Sequence, residues 1–153
     1  MGRCRRRSHP DWYDFLKDYV ALVDWPGGSF WPELSASYPD ALVLLSVREG
    51  ESWYNSAIET IFKDDPEESG KFDRMWRAIV RNRFCNDFGN KDRMIAAMEA
   101  HNNAVRAAIP SERLLEYRAG EGWKPLCAAL DLPIPEIDYP HTNTKKEFLE
   151  RPD

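Results

Sequence analysis

Ala41-Leu42-Val43-Leu44-Leu45-Ser46-Val47 is the segment that most limits what this chain can become. It is continuous rather than alternating, Pro39-Asp40 breaks the chain before it, and Arg48-Glu49-Gly50-Glu51 closes it. A short apolar run between breakers reads as a strand, and the lack of alternation predicts cover on both faces of a parallel sheet. Parallel strands need long crossover connections, so helices are expected on either side of it. Its longest uninterrupted apolar stretch, Ala41–Leu45, is far too short to span a bilayer.

The rest of the chain supplies those helices. Ser8 is the expected cap of a first helix with Pro10 in its first turn, where Trp12, Phe15, Leu16 and Tyr19 recur at the spacing of one buried face. Val20-Ala21-Leu22-Val23-Asp24 reads as a buried strand ended by the Trp25-Pro26-Gly27-Gly28 loop. Ser29 is placed to cap a helix over residues 30–38. Further helices are expected at about 52–62, 72–84, 91–108 and 123–130, with a polar loop carrying Pro66 and Gly70 between the first two. Met94, Ile95, Met98, Val105 and Ile109 form a helical stripe that belongs to a core.

Leu114-Leu115-Glu116-Tyr117 reads as a third short strand, and Pro133, Pro135 and Pro140 leave an extended tail over the body. Strands alternating with helices predict an α/β fold, a short three-stranded parallel sheet flanked by helices with a helix-rich second half. One domain is expected over 10–143, between a basic disordered N-terminus at 1–9 and a polar tail at 144–153.

Charge removes several functions. Arg3, Arg5, Arg6 and Arg7 hold four of the 21 basic residues, so the body carries 17 against 26 acidic ones, a net −9. Phosphate neutralisation needs a clustered basic surface, which excludes general nucleic-acid binding by that body. The arginine cluster reads as a solvated terminus, and no apolar stretch follows it as a secretory signal would require. Cys4, Cys85 and Cys127 are odd in number and contain no CxxC pair, so neither a disulfide framework nor a zinc site is expected. Idle thiols fit the cytoplasm, and no metal is expected.

Ligands of open parallel sheets bind at the carboxyl ends of the strands. Arg48 follows the best strand directly, and Ser56 lies eight residues on, inside the next helix. A guanidinium fork plus a hydroxyl suits a phosphate; an Arg48 ion pair with Glu49 or Glu51 is the alternative. His9, His101 and His141 share no partner spacing, so no Ser/His/Asp or Cys/His set can be assembled.

The segment Leu42-Val43-Leu44-Leu45-Ser46-Val47-Arg48-Glu49 with Ser52-Trp53-Tyr54-Asn55-Ser56 resembles the 3'-phosphate-binding segment of the sulfotransferases. Val23-Asp24-Trp25-Pro26, Phe30-Trp31, Tyr38-Pro39-Asp40-Ala41, Arg113-Leu114-Leu115, Gly122-Trp123-Pro125-Leu126-Cys127, Leu132-Pro133-Pro135 and Pro140-His141-Asn143 extend the resemblance from about Asp11 to Asn143. It implies a P-loop-like three-layer fold and transfer of a sulfuryl group from 3'-phosphoadenosine 5'-phosphosulfate (PAPS) to a hydroxyl or amine. Arg48 and Ser56 would grip the 3'-phosphate, and adenosine 3',5'-bisphosphate would be the product.

The family opens with a strand, a glycine-rich 5'-phosphosulfate loop and a helix. Nothing of that kind precedes Asp11, so the chain reads as truncated at its N-terminus. Asp24 stands where many members place a histidine base, and its other role is to hydrogen-bond the Trp25–Gly28 loop. Trp53, Tyr54 or Tyr117 could stack on adenine or fill the core, and Trp25, Phe30 and Trp31 could line an acceptor pocket or a core. Two readings stay open: a transferase, or a non-catalytic remnant that binds adenosine 3',5'-bisphosphate weakly or meets a second copy or a partner protein at an incomplete sheet.

Overall fold

The run after Pro39-Asp40 forms β1, Val43–Val47, in a computed structural model that describes residues 10–63, 70–142, 144, 146, 147 and 150. Expectations on Arg3–Arg7, Cys4, Ser8, His9, Pro66 and Asn143 lie outside the described residues. The second strand, β2, is Leu114–Arg118, and it pairs with β1 in parallel from Val43↔Leu114 to Val47↔Arg118.

Among the described residues, six helices accompany the pair: α1 (Trp12–Leu16), α2 (Trp31–Ser37), α3 (Gly50–Glu59), α4 (Lys71–Arg83), α5 (Lys91–Ala108) and α6 (Trp123–Leu130). Short 3-10 turns at Gly27–Phe30 and Ser111–Arg113 lead into α2 and β2. No described helix is long and apolar enough to cross a membrane. The mixed α/β class with a parallel sheet and a helix-rich second half is the one expected.

Partners in parallel register share a face, so Leu45, Val47, Glu116 and Arg118 look one way while Leu44, Ser46, Leu115 and Tyr117 look the other. Helix α5 covers the first face, with Val105 and Ile109 packed on Leu45 and Val47, and Arg106 donating two 2.8 Å bonds to the Glu116 carboxylate. Helix α6 packs against β2, and Tyr117 on the opposite face is buried, as is Cys127 of α6. The sheet is therefore a middle layer between α5 and α6.

A second core joins α3, α4 and α5 through Ala57, Phe62, Val80 and Met94, with Trp25, Trp53 and Phe84 against it. Its α5 member, Met94, belongs to the predicted stripe and is wholly buried. Asn90 starts that helix by accepting the Arg93 N–H at 3.1 Å.

Three expectations are corrected. First, β1 is not covered on both faces: Leu44 is 46% exposed and Ser46 is exposed, because α6 reaches β2 but not its neighbour. Second, residues 20–24 form no strand, and the described sheet has two strands rather than three. A strand needs a neighbour for its N–H and C=O groups; none flanks this segment among the described residues, and Val20 and Val23 are 106% and 82% exposed.

Third, α1 stops at Leu16 and buries no residue. Asp11 caps it, accepting from Tyr13 and Asp14. It leans on α2 through Trp12 against Phe30 (5.4 Å) and Tyr13 against Tyr38 (4.8 Å). Ser29 is likewise no cap; its hydroxyl donates to the Pro26 carbonyl at 2.6 Å inside the 3-10 turn.

Candidate functional site

Where β1 ends, Arg48 and Glu49 make the turn into α3. Glu49 is extended at φ −65° and ψ 136°, and its carboxylate accepts the Glu51 N–H at 2.9 Å and the Ser52 N–H at 2.7 Å. The first turn of α3 is thus closed by its own acid. Arg48 reaches over that turn instead, its Nε and Nη2 donating to the Ser52 hydroxyl at 3.1 and 2.9 Å.

Ser56 lies four residues beyond Ser52 on the same face of α3, a rise of about 6 Å along the axis. Arg48, Ser52 and Ser56 therefore form one polar row running from the strand end up the helix. The ion-pair alternative for Arg48 is not realised: Glu49 is occupied with the backbone, and Glu51 pairs with Lys91 at 2.7 Å. The guanidinium is exposed and held only by a neutral hydroxyl.

The two backbone N–H bonds hold the Glu49 carboxyl below its ordinary 4.5, helped by the charges of Lys91 and Arg48. A carboxyl lowered on folding stabilises the native state fully above about pH 4.5 and loses that effect as the pH falls through its native value. Melting temperatures of the wild type and Glu49→Gln measured from pH 6 to pH 3 should therefore differ most at the upper end and converge at the lower. Parallel curves would remove the cap from the account.

Behind the row, the carboxyl ends of β1 and β2 open on a cleft of about 490 Å³ between the start of α3 and the flank of α5. Val47 and Arg48 enter it from β1, Arg118 from β2, and Asn102, Asn103 and Arg106 from α5. Gly50 permits this arrangement. A Cβ there would stand 2.8 Å from Ile95 Cγ2, so only glycine lets α3 start so close to α5. The cleft sits where open α/β sheets bind ligands.

None of the other predicted residues is in the lining of this cleft. Asp24 is exposed, at φ 66°, with Oδ1 accepting the Trp25 N–H at 2.7 Å and its carbonyl accepting the Gly28 N–H at 2.8 Å. That is the loop-holding role weighed for it. Trp25 and Trp53 meet edge-on at Phe84, each at 5.8 Å, which brings the Asp24 loop onto the core beneath α3.

Phe30 lies under the Arg83 guanidinium at 4.1 Å, while Trp31 packs on the β1–α5 core beside His101. Trp25 and Trp31 thus belong to different cores, Phe30 packs on Trp12 and Arg83, and the three do not form one wall. Tyr117 points away from the cleft toward α6. Its hydroxyl donates to the Gly122 carbonyl at 3.3 Å, and the hydrogen bond with Tyr139 together with burial pushes its pKa up to about 12.

Asn102, Arg118, Gly50 and Ser52 were not singled out by the sequence reading. Two of them carried a signal. Asn102 continues the Met94, Met98 spacing by four residues, a polar side chain on a buried stripe, and Arg118 follows the predicted strand 114–117 just as Arg48 follows β1.

A family model described as "Sulfotransferase domain" matches residues 2–148. A curated relative, "Ava biosynthesis cluster protein M" of Aspergillus versicolor, is 30% identical over 150 residues, covering 88% of this chain and 58% of that protein. The chain thus spans a little over half the length of this relative.

Proposed function

The chain belongs to the sulfotransferase family, and from that premise we propose that it binds PAPS through Arg48 and Ser56 and passes the sulfuryl group to a small-molecule hydroxyl or amine. The observation that carries this reading is the polar row: a guanidinium at the carboxyl end of β1, held by no carboxylate, with Ser52 and Ser56 aligned beyond it on α3. Such a fork offers a 3'-phosphate two parallel charged hydrogen bonds, and a serine hydroxyl adds a third. The α3 amides are taken by Glu49, so the phosphate is held by side chains rather than by the helix end.

In the transfer, the acceptor oxygen or nitrogen bonds to sulfur as the bond from sulfur to the 5'-phosphate oxygen breaks. Adenosine 3',5'-bisphosphate departs, and the acceptor's proton goes to a base. Asp24 is the base proposed here; Oδ1 is tied to Trp25, and Oδ2 is left for the acceptor. The relative is named for a biosynthesis cluster, which agrees with a small acceptor. Free thiols at Cys85 and Cys127 agree with a cytoplasmic setting.

Calorimetric titration with adenosine 3',5'-bisphosphate tests the reading. Micromolar binding, much weaker with adenosine 5'-monophosphate, is the expected result; no binding at millimolar ligand overturns it. A second reading, a non-catalytic chain that pairs with another copy, is favoured by the outer edge of β1, which no described strand pairs, and by the exposed Val20–Val23 run. Mass that rises with concentration, together with no PAPS turnover across an acceptor panel, would select it.

A further inference from the structure

Asn102 is out of character with its surroundings on α5. Met94 and Met98 precede it on the same stripe and Val105 follows, all three buried. Asn102 is buried as well, with 8% of its surface exposed, yet its carboxamide has no hydrogen-bond partner among the described residues. Among the described residues only Trp12 Nε1 is a fully buried side-chain polar atom without a partner, so the Asn102 amide reaches solvent. It is not sealed into the core; it opens into the cleft at the ends of β1 and β2.

Arg118 faces the same space. It is the register partner of Val47, one residue before Arg48, and its guanidinium makes no ion pair or hydrogen bond either. Arg106, the third arginine of the cleft, is already held by Glu116. Glu49 and Glu99 stand in the same lining and disfavour a second phosphate there. A neutral, planar group that both donates and accepts hydrogen bonds suits the pair better.

We propose that Asn102 and Arg118 recognise the nucleobase of the ligand whose phosphate Arg48 holds, so the inference rests on the nucleotide reading above. A carboxamide meets adenine with two bonds, its oxygen accepting from N6 and its nitrogen donating to N7. A guanidinium plane stacks on the ring. Tyr117, the residue expected for stacking, is turned to α6 and leaves that role to Arg118.

The test uses the full chain with adenosine 3',5'-bisphosphate and inosine 3',5'-bisphosphate, because hypoxanthine replaces the N6 donor with an acceptor. The wild type should prefer the adenosine form about tenfold. Asn102→Leu should erase that preference by weakening the adenosine form alone, and its melting temperature should stay close to that of the wild type, because the amide it removes has no partner in the protein. Arg118→Ala, an exposed position, should weaken both nucleotides about tenfold.

A preference retained in Asn102→Leu overturns the assignment of Asn102. Unchanged affinities in Arg118→Ala overturn the stacking role. Arg48→Ala, run alongside, separates the two levels. If it binds both nucleotides as the wild type does, the phosphate reading itself fails; if it binds neither while the other variants behave as wild type, only the base assignment fails.

Discussion

Arg48→Ala will lower the affinity for adenosine 3',5'-bisphosphate by about a hundredfold, the scale of a lost bidentate arginine–phosphate contact. The fold should survive, because the side chain is exposed and its hydrogen bonds go only to the Ser52 hydroxyl. Neither bond closes a helix end, since Glu49 has that task. The melting temperature should therefore stay within a degree or so of the wild type, as expected for a surface substitution.

Arg48→Lys should recover part of the loss, since an ammonium supplies charge without the planar fork. Ser56→Ala should lose only several-fold, the value of one hydroxyl to a charged acceptor. Adenosine, which has no phosphate, should bind wild type and Arg48→Ala alike. Equal bisphosphate affinity in wild type and Arg48→Ala would remove the strand-end site. Loss of adenosine binding as well would mean that the alanine had disturbed the cleft rather than a phosphate contact.

That Arg48 could be singled out beforehand follows from two strong local signals. A run of apolar residues between breakers fixes a strand, and strand ends carry ligands in α/β sheets. The long periodic helices were equally visible: α5 and α6 have the expected bounds, and α4 begins one residue earlier than expected and ends one earlier. Patterns of that kind are set by the chain's own repeat, so they persist whatever packs on them.

What failed depended on neighbours. Val20–Val23 has the composition of a strand but no flanking strand in the described residues, and composition cannot supply a hydrogen-bond partner. Leu44 looks as apolar as Leu45, yet one faces solvent and the other α5, because cover on a sheet face is decided by helix placement. The aromatics were ambiguous for the same reason. Trp53, Trp31 and Tyr117 differ in where they point, not in composition, and all three pack within the body. Asn102 was legible in principle, since four-residue spacing from Met98 puts it on the core stripe, where an amide needs an explanation.

Met94→Ala should have the largest effect on stability, about 2–5 kcal/mol for a wholly buried methionine cut back to a methyl. Met94 belongs to the core it shares with Ala57 of α3 and Val80 of α4, so the cavity would open where three helices meet. A domain of this size has roughly 5–15 kcal/mol in total, and the melting temperature should fall by about 5–15 °C. Met94→Leu keeps nearly all the volume and should cost less than about 1.5 kcal/mol.

The consequence reaches the cleft, because α5 carries both Met94 and Asn102 and its contact with α3 sets the distance from Asn102 to Arg48. Well below its melting point, Met94→Ala should still bind adenosine 3',5'-bisphosphate within a few-fold of wild type. Its affinity should then fall with temperature earlier than that of wild type, tracking the unfolded fraction. A melting temperature within a degree of wild type would show that α3, α4 and α5 do not share this core. Lost binding at a temperature where the variant is fully folded would instead show that Met94 positions the cleft directly, rather than through the stability of the helices around it.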